Sequence, residues 1–197
     1  MTPVQTTSPP PTTRATSPRA FGRWMVTFAG FPLGGYAAYL TTGRVDSLVP
    51  ALLGGLITGA ILGAVQAWGL GRNRPPVAAW VVATALGTMV GLGLGSALVD
   101  YGTSLSDLML QGAVTGLAVG LAQGFVLLSR LGRLALAWPA FLTAAWAAGW
   151  TVTTLIGIDV DQQFTVFGSG GALTVAALTF VLPAALNRTA ARKEIQS

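Results

Sequence analysis

The sequence predicts an all-α membrane protein: six transmembrane helices, arranged as three tandem helical hairpins in pseudo-threefold parallel repeat. Three observations predict it. Charged residues make up only 9% of the 197-residue chain and hydrophobic ones 52%, against about 25% charged in an ordinary soluble domain. The charges gather in short clusters and leave six uncharged runs between Arg23 and the C-terminal segment. Finally, GGLITGAILGAVQ at 54–66 returns 57 residues later as QGAVTGLAVGLAQ at 111–123, with five of thirteen positions identical.

The uncharged runs are 24–43, 47–71, 75–99, 108–129, 134–158 and 162–187, each at least 20 residues long. About 20 mostly apolar residues in a helix cross roughly 30 Å of hydrocarbon. A soluble helical core would need charged outer faces on its helices, and none of these runs supplies one. The basic residues then set the orientation. Arg14, Arg19, Arg23, Arg72, Arg74, Arg130, Arg133, Arg188, Arg192 and Lys193 all fall on one side of a six-span arrangement, and only Arg44 falls on the other. The excess of Lys and Arg marks the cytoplasmic side, so both termini are expected inside. Ten arginines against one lysine, with abundant Ala and Gly, point to a bacterial cytoplasmic membrane. The net charge of +5 is expected to meet anionic lipid headgroups and no nucleic acid.

Residues 1–20, MTPVQTTSPPPTTRATSPRA, are too poor in apolar side chains to order by burial and are expected to form a disordered cytoplasmic tail. The first hairpin, 21–72, opens at Trp24. Pro32 is expected to kink its first helix by deleting a main-chain hydrogen bond. The second hairpin, 75–130, opens at Trp80. The third, 134–188, opens at Trp138, with Pro139 in a first turn where proline is tolerated and Pro183 ending or bending the last helix. Residues 189–197 form a basic cytoplasmic tail. Each of the three tryptophans precedes a glycine by eleven residues (Gly35, Gly91, Gly149), and the second helices share Gly-x-x-Thr at Gly55/Thr58, Gly112/Thr115 and Gly171/Thr174. Hairpins that leave and return on the same side are related by an axis along the membrane normal. Trp24, Trp80 and Trp138, at the cytoplasmic helix starts, are expected to anchor at the headgroup boundary, where the amphipathic indole is favoured.

The glycine lines carry the packing expectation. Lipid tails are as apolar as leucine, so helices in a bilayer associate through close van der Waals contact, which small residues permit. Gly55, Gly59 and Gly63, then Gly112, Gly116 and Gly120, then Gly87, Gly91 and Gly95 each recur at a four-residue step and so share a helix face. The even-numbered helices are expected to form the inner contacts of the bundle. Gln66 and Gln123, near the cytoplasmic ends of the second and fourth helices, form a candidate polar site together with Thr58, Thr115 and Thr174. The third hairpin has Leu182 and Pro183 at the position equivalent to the glutamines.

Several chemistries lack their residues. The chain has no Cys and no His, which removes thiolate nucleophiles, disulfides and the commonest general base. No ionisable side chain lies within the six runs, whereas proton-coupled transport and voltage sensing need one. The acids Asp100, Asp107, Asp159 and Asp161 are read as solvated outer loops; no metal site and no cofactor are expected.

The segments bearing Gly59, Gly63, Gln66 and Arg72, then Gly116, Gly120, Gln123 and Arg130, resemble a loose group of uncharacterised bacterial multi-pass membrane proteins built from tandem hairpins. The chain departs from that group with Ala67 and Gly124 after the glutamines, where an aromatic is common. The resemblance implies a membrane fold and no particular activity. Two functions are expected from the residues themselves. One is a non-catalytic accessory or assembly subunit of a larger membrane complex, with membrane lipids as its other partners. The alternative is a small permease or lipid-handling protein with a substrate path between its hairpins.

Overall fold

Helix ends fall where proline, glycine or a polar cap stops the main-chain ladder. The computed structural model describes residues 18–160 and 165–196, and among them there is no strand. Helices α1 (Pro18–Val26) and α2 (Gly30–Thr42) are separated by a 3-10 turn, Thr27–Ala29. Pro32 has no N–H for the carbonyl of Phe28 and its ring crowds that carbonyl, so the break sits one turn upstream of the proline. Helix α3 (Leu48–Leu70) stops at Gly71, whose φ of +70° glycine adopts without a Cβ penalty. Helix α4 (Val77–Leu98) begins directly after Pro75 and Pro76. Helix α5 (Leu105–Leu131) begins with a capping box: Ser104 Oγ accepts from the Asp107 N–H at 3.3 Å, and Asp107 Oδ2 accepts from the Ser104 N–H at 3.2 Å. A 3-10 segment, Gly132–Ala137, leads to α6 (Trp138–Leu155), with Pro139 in its first turn. Helices α7 (Ser169–Thr179) and α8 (Val181–Gln196) meet at Phe180, again one turn before a proline, Pro183.

Two expected boundaries move. Helix α1 already starts at Pro18, inside the expected tail, because the arginines and Phe21 continue a helical turn; residues 1–17 lie outside the described residues. The expected basic tail at 189–197 continues α8 as far as Gln196.

Four helical stretches are long and apolar enough to cross a membrane: Leu48–Asn73, Val77–Leu98, Leu105–Leu155 and Ser169–Arg192. The third is folded back on itself, α5 against α6. Large apolar side chains stand on the outside, among them Leu33, Leu53, Leu86, Leu121 and Phe125, the last 79% exposed. In water so large an apolar surface would drive association; in a bilayer it matches its solvent. The chain is therefore a membrane protein.

The helices form a ring. Each of α2 to α7 packs antiparallel on its neighbour in sequence, and α7 returns to α1, α2 and the turn between them. The glycines show the seams directly. A methyl group at Gly55 would stand 2.8 Å from Thr88 O, at Gly59 2.7 Å from Ala85 Cα, and at Gly63 3.0 Å from Val81 Cα, all on α4. At Gly112 it would stand 3.0 Å from Trp146 O and at Gly120 2.5 Å from Pro139 Cα, with Gly116 facing Leu142 O, all on α6. Gly87, Gly91 and Gly95 of α4 face α5 in the same way, 2.7 Å from Val119 Cα, 2.6 Å from Thr115 Cα and 2.9 Å from Gln111 O. The extensive contacts of α3 and α5 are with the odd helices beside them, α2, α4 and α6, and not with one another as expected of the even helices.

A ring of six cylinders spaced about 8–10 Å apart encloses a space of nearly one helix diameter. That space must be filled from the inner faces. At one end Phe31, Trp146, Trp150 and Phe167 fill it, with ring centroids 5.0 to 6.0 Å apart. At the end carrying Arg23, Arg72 and Arg130, hereafter the basic end, Trp24, Trp80 and Trp138 do so.

Replacing Gly59 by Ile should lower the thermal midpoint of unfolding in detergent, because overpacking costs about 1–3 kcal/mol and here the neighbour is rigid backbone. Gly22→Ala, where nothing lies within 4 Å, should leave the midpoint unchanged or raise it slightly.

Candidate functional site

Gln123 of α5 is 2% exposed and lies at the centre of the basic end. Its Oε1 accepts from Trp138 Nε1 at 2.9 Å. Its Nε2 donates to Thr84 Oγ1 at 2.9 Å and to Gln66 Oε1 at 3.3 Å. Thr84 in turn donates to its own helix at Trp80 O, 2.8 Å away. One glutamine thereby ties α3, α4, α5 and α6 together. Residues of α1 and of α3 to α8 converge on a cavity of about 10 Å³ beside it, with Trp24, Leu62, Trp80, Val175 and Leu182 among the lining.

Trp24, Trp80 and Trp138 do not anchor at a headgroup boundary. They are 1%, 1% and 8% exposed, because the space inside the ring needs large side chains and the seams supply none. Each indole N–H then needs an acceptor indoors. Trp138 has Gln123. Trp24 Nε1 donates to Ala176 O at 2.9 Å, an acceptor released by the helix break: the Phe180 N–H has turned to Ala177 O instead. Trp80 Nε1 meets no acceptor among the described residues. An indole does stand outward at the basic end, but it belongs to Trp68, which is 56% exposed.

The threonines expected beside the glutamines lie elsewhere. Thr58 bonds Thr165 across 2.7 Å, two turns of α3 away from Gln66. Thr115 and Thr174 bond back to their own helices at Gln111 O and Gly170 O, 2.8 and 2.9 Å away. Two of the three hydroxyls are satisfied locally and the third by Thr165, so the Gly-x-x-Thr threonines do not form one polar site with the glutamines. Thr84, which does join the cluster, was marked in the sequence only by its spacing of four from Trp80.

Among the described residues, no group of three His, Cys, Asp or Glu side chains is placed to hold a metal. Asp107 is engaged as a helix cap, and Asp161 lies outside the described residues. At the far end a second cavity, of about 240 Å³, is bounded by α2 (Pro32, Tyr36), α6 (Trp150, Thr153) and the stretch bearing Asp159 and Phe167. Its walls are largely apolar. No family model, curated protein or solved structure matches the chain.

Gln123→Leu should cost about 1–3 kcal/mol, since it strands the buried N–H of Trp138. Gln66→Leu, which loses one long bond at a half-buried position, should cost about 0.6 kcal/mol. In a double-mutant cycle read by unfolding in detergent, Gln123→Leu and Trp138→Phe should couple by about 0.5–3 kcal/mol, the second substitution relieving the first.

Proposed function

We propose that the chain is a six-pass protein of a bacterial cytoplasmic membrane, with both termini inside, and that it acts without catalysis as an accessory or assembly subunit through its lipid-facing helices. The observation that carries this reading is the filled axis. Residues of α1 and of α3 to α8 converge on a space of about 10 Å³, which leaves the basic end without room for a solute, and the cavity of about 240 Å³ between α2 and α6 lies at the other end of the axis. The work left for such a molecule lies on its outside, where apolar helix faces meet lipid and other spans.

The same reading takes the bundle as three copies of one hairpin. Gly55 stands seven residues after the start of α3, and Gly112 seven after the start of α5. In both hairpins the glycine line faces the helix beside it. Two of the three central tryptophans reach towards the second helix of the hairpin before them: Trp138 to Gln123, and Trp24, closing the ring, to Ala176. The third copy deviates. Helix α7 begins only two residues before Gly171, and the 240 Å³ cavity flanks the place where its missing turns would stand.

The chain has no cysteine, so single cysteines report topology without background. Cysteines replacing Arg72 and Thr189 should resist a membrane-impermeant maleimide in intact cells, and those replacing Arg44 and Thr103 should react. A photo-crosslinking residue at Phe125 or Leu121 should capture one protein at fixed stoichiometry in native membranes. Solute flux into liposomes containing the purified chain alone would contradict the accessory role.

A further inference from the structure

The indole of Trp80 is the one buried donor of the central cluster left without a protein acceptor among the described residues, and its surroundings have room for a single small molecule. We infer that Trp80 Nε1, Gln66 and Gln123 build a site for one neutral, water-sized hydrogen-bond acceptor, occupied by a water molecule held inside the bundle. Four observations carry this. Trp80 is 1% exposed, and its N–H finds no partner; buried polar groups in folded proteins are almost always paired. The indole N–H donates only, so its partner must accept. The adjoining cavity of about 10 Å³ is at the lower limit for one water, about 10–15 Å³, and too small for more. Its lining includes the further partners a water needs: Gln66 Oε1 accepts only one bond, 3.3 Å long, and Gln123 Oε1 and Thr179 Oγ1 each keep a lone pair beyond the bonds they make.

The chemistry selects a neutral occupant. The cavity lining carries no charged side chain, so an ion would lie in low dielectric without compensation. A donor-only group such as an ammonium would repel the indole N–H. Water accepts from Trp80 and returns two protons to the amide and hydroxyl oxygens, leaving each group satisfied. The pattern around the axis fits the same logic. Of three equivalent indoles, one takes a side-chain amide, one a main-chain carbonyl and the third a solvent molecule.

The test is proton NMR of the full chain, 15N-labelled at tryptophan, in micelles. The indole N–H of Trp80, assigned by its loss in Trp80→Phe or, should that variant not fold, by its shift in Thr84→Val, should show a cross-relaxation peak to water with the sign of a long-lived bound molecule. The indoles of Trp24 and Trp138 should show none. Absence of that peak from Trp80 would overturn the inference. So would an indole with no water peak whose resonance moves upfield in Gln66→Leu, since the Gln66 carbonyl would then be its direct acceptor.

Discussion

Backbone-to-backbone approach between antiparallel helices is the constraint from which the remaining features follow. In lipid, apolar side chains gain nothing by leaving their surroundings for one another, so contact must come from close fit. Glycines at 55, 59 and 63, at 87, 91 and 95, and at 112, 116 and 120 bring main-chain atoms within reach of the next helix. Seams made this way carry little side-chain volume. The volume must then be supplied along the axis, and it is supplied by the largest residues available: Phe31, Trp146, Trp150 and Phe167 at one end, Trp24, Trp80 and Trp138 at the other. Small residues at the seams and large ones on the axis are one solution to one geometric problem.

Filling the axis with tryptophan creates a second requirement. Each indole brings a donor into a region without bulk water, where an unpaired polar group is costly. Gln123 meets that demand for Trp138 and joins the neighbouring helices as well, since an amide both accepts and donates. Its position on α5 lets it reach Trp138 on α6 and Thr84 on α4, the two helices flanking it in the ring. Buried threonines add no such demand, because Thr84, Thr88, Thr115, Thr153 and Thr179 all return their protons to carbonyls of their own helices. Besides the cluster at Gln123, the buried bonds between elements described above are those of Trp24 to Ala176 and of Thr58 to Thr165.

The sequence made the helices and the glycine faces legible because both depend on local order: uncharged runs give length, and a four-residue step gives a face. Which neighbour a glycine face meets was not legible. Gly59 could equally have met another even helix, and only the closure of the ring puts Ala85 opposite it. The inward direction of the tryptophans is not legible for a related reason. A Trp beside basic residues at a helix start fits a headgroup belt, and nothing in the run 77–98 tells which way Trp80 turns. Direction is set by the space at the centre, which exists only after the ring has closed. Gln66 and Gln123 do bond, but that Gln123 is the hub follows from its burial, which the sequence pattern does not carry. Thr58, Thr115 and Thr174 share a sequence pattern with one another, but their hydroxyls bond Thr165, Gln111 and Gly170 rather than the glutamines.

The bond from Trp24 to Ala176 differs in kind from the others at the axis. Its acceptor is a peptide oxygen, which every amino acid carries. Genetic drift at position 176 can alter bulk but cannot delete the acceptor. Position 123 has no such insurance, for only an amide of that reach supplies both halves of its role. Within one molecule, then, the closing seam is tolerant of inherited change while the seam centred on α5 hangs on a single codon.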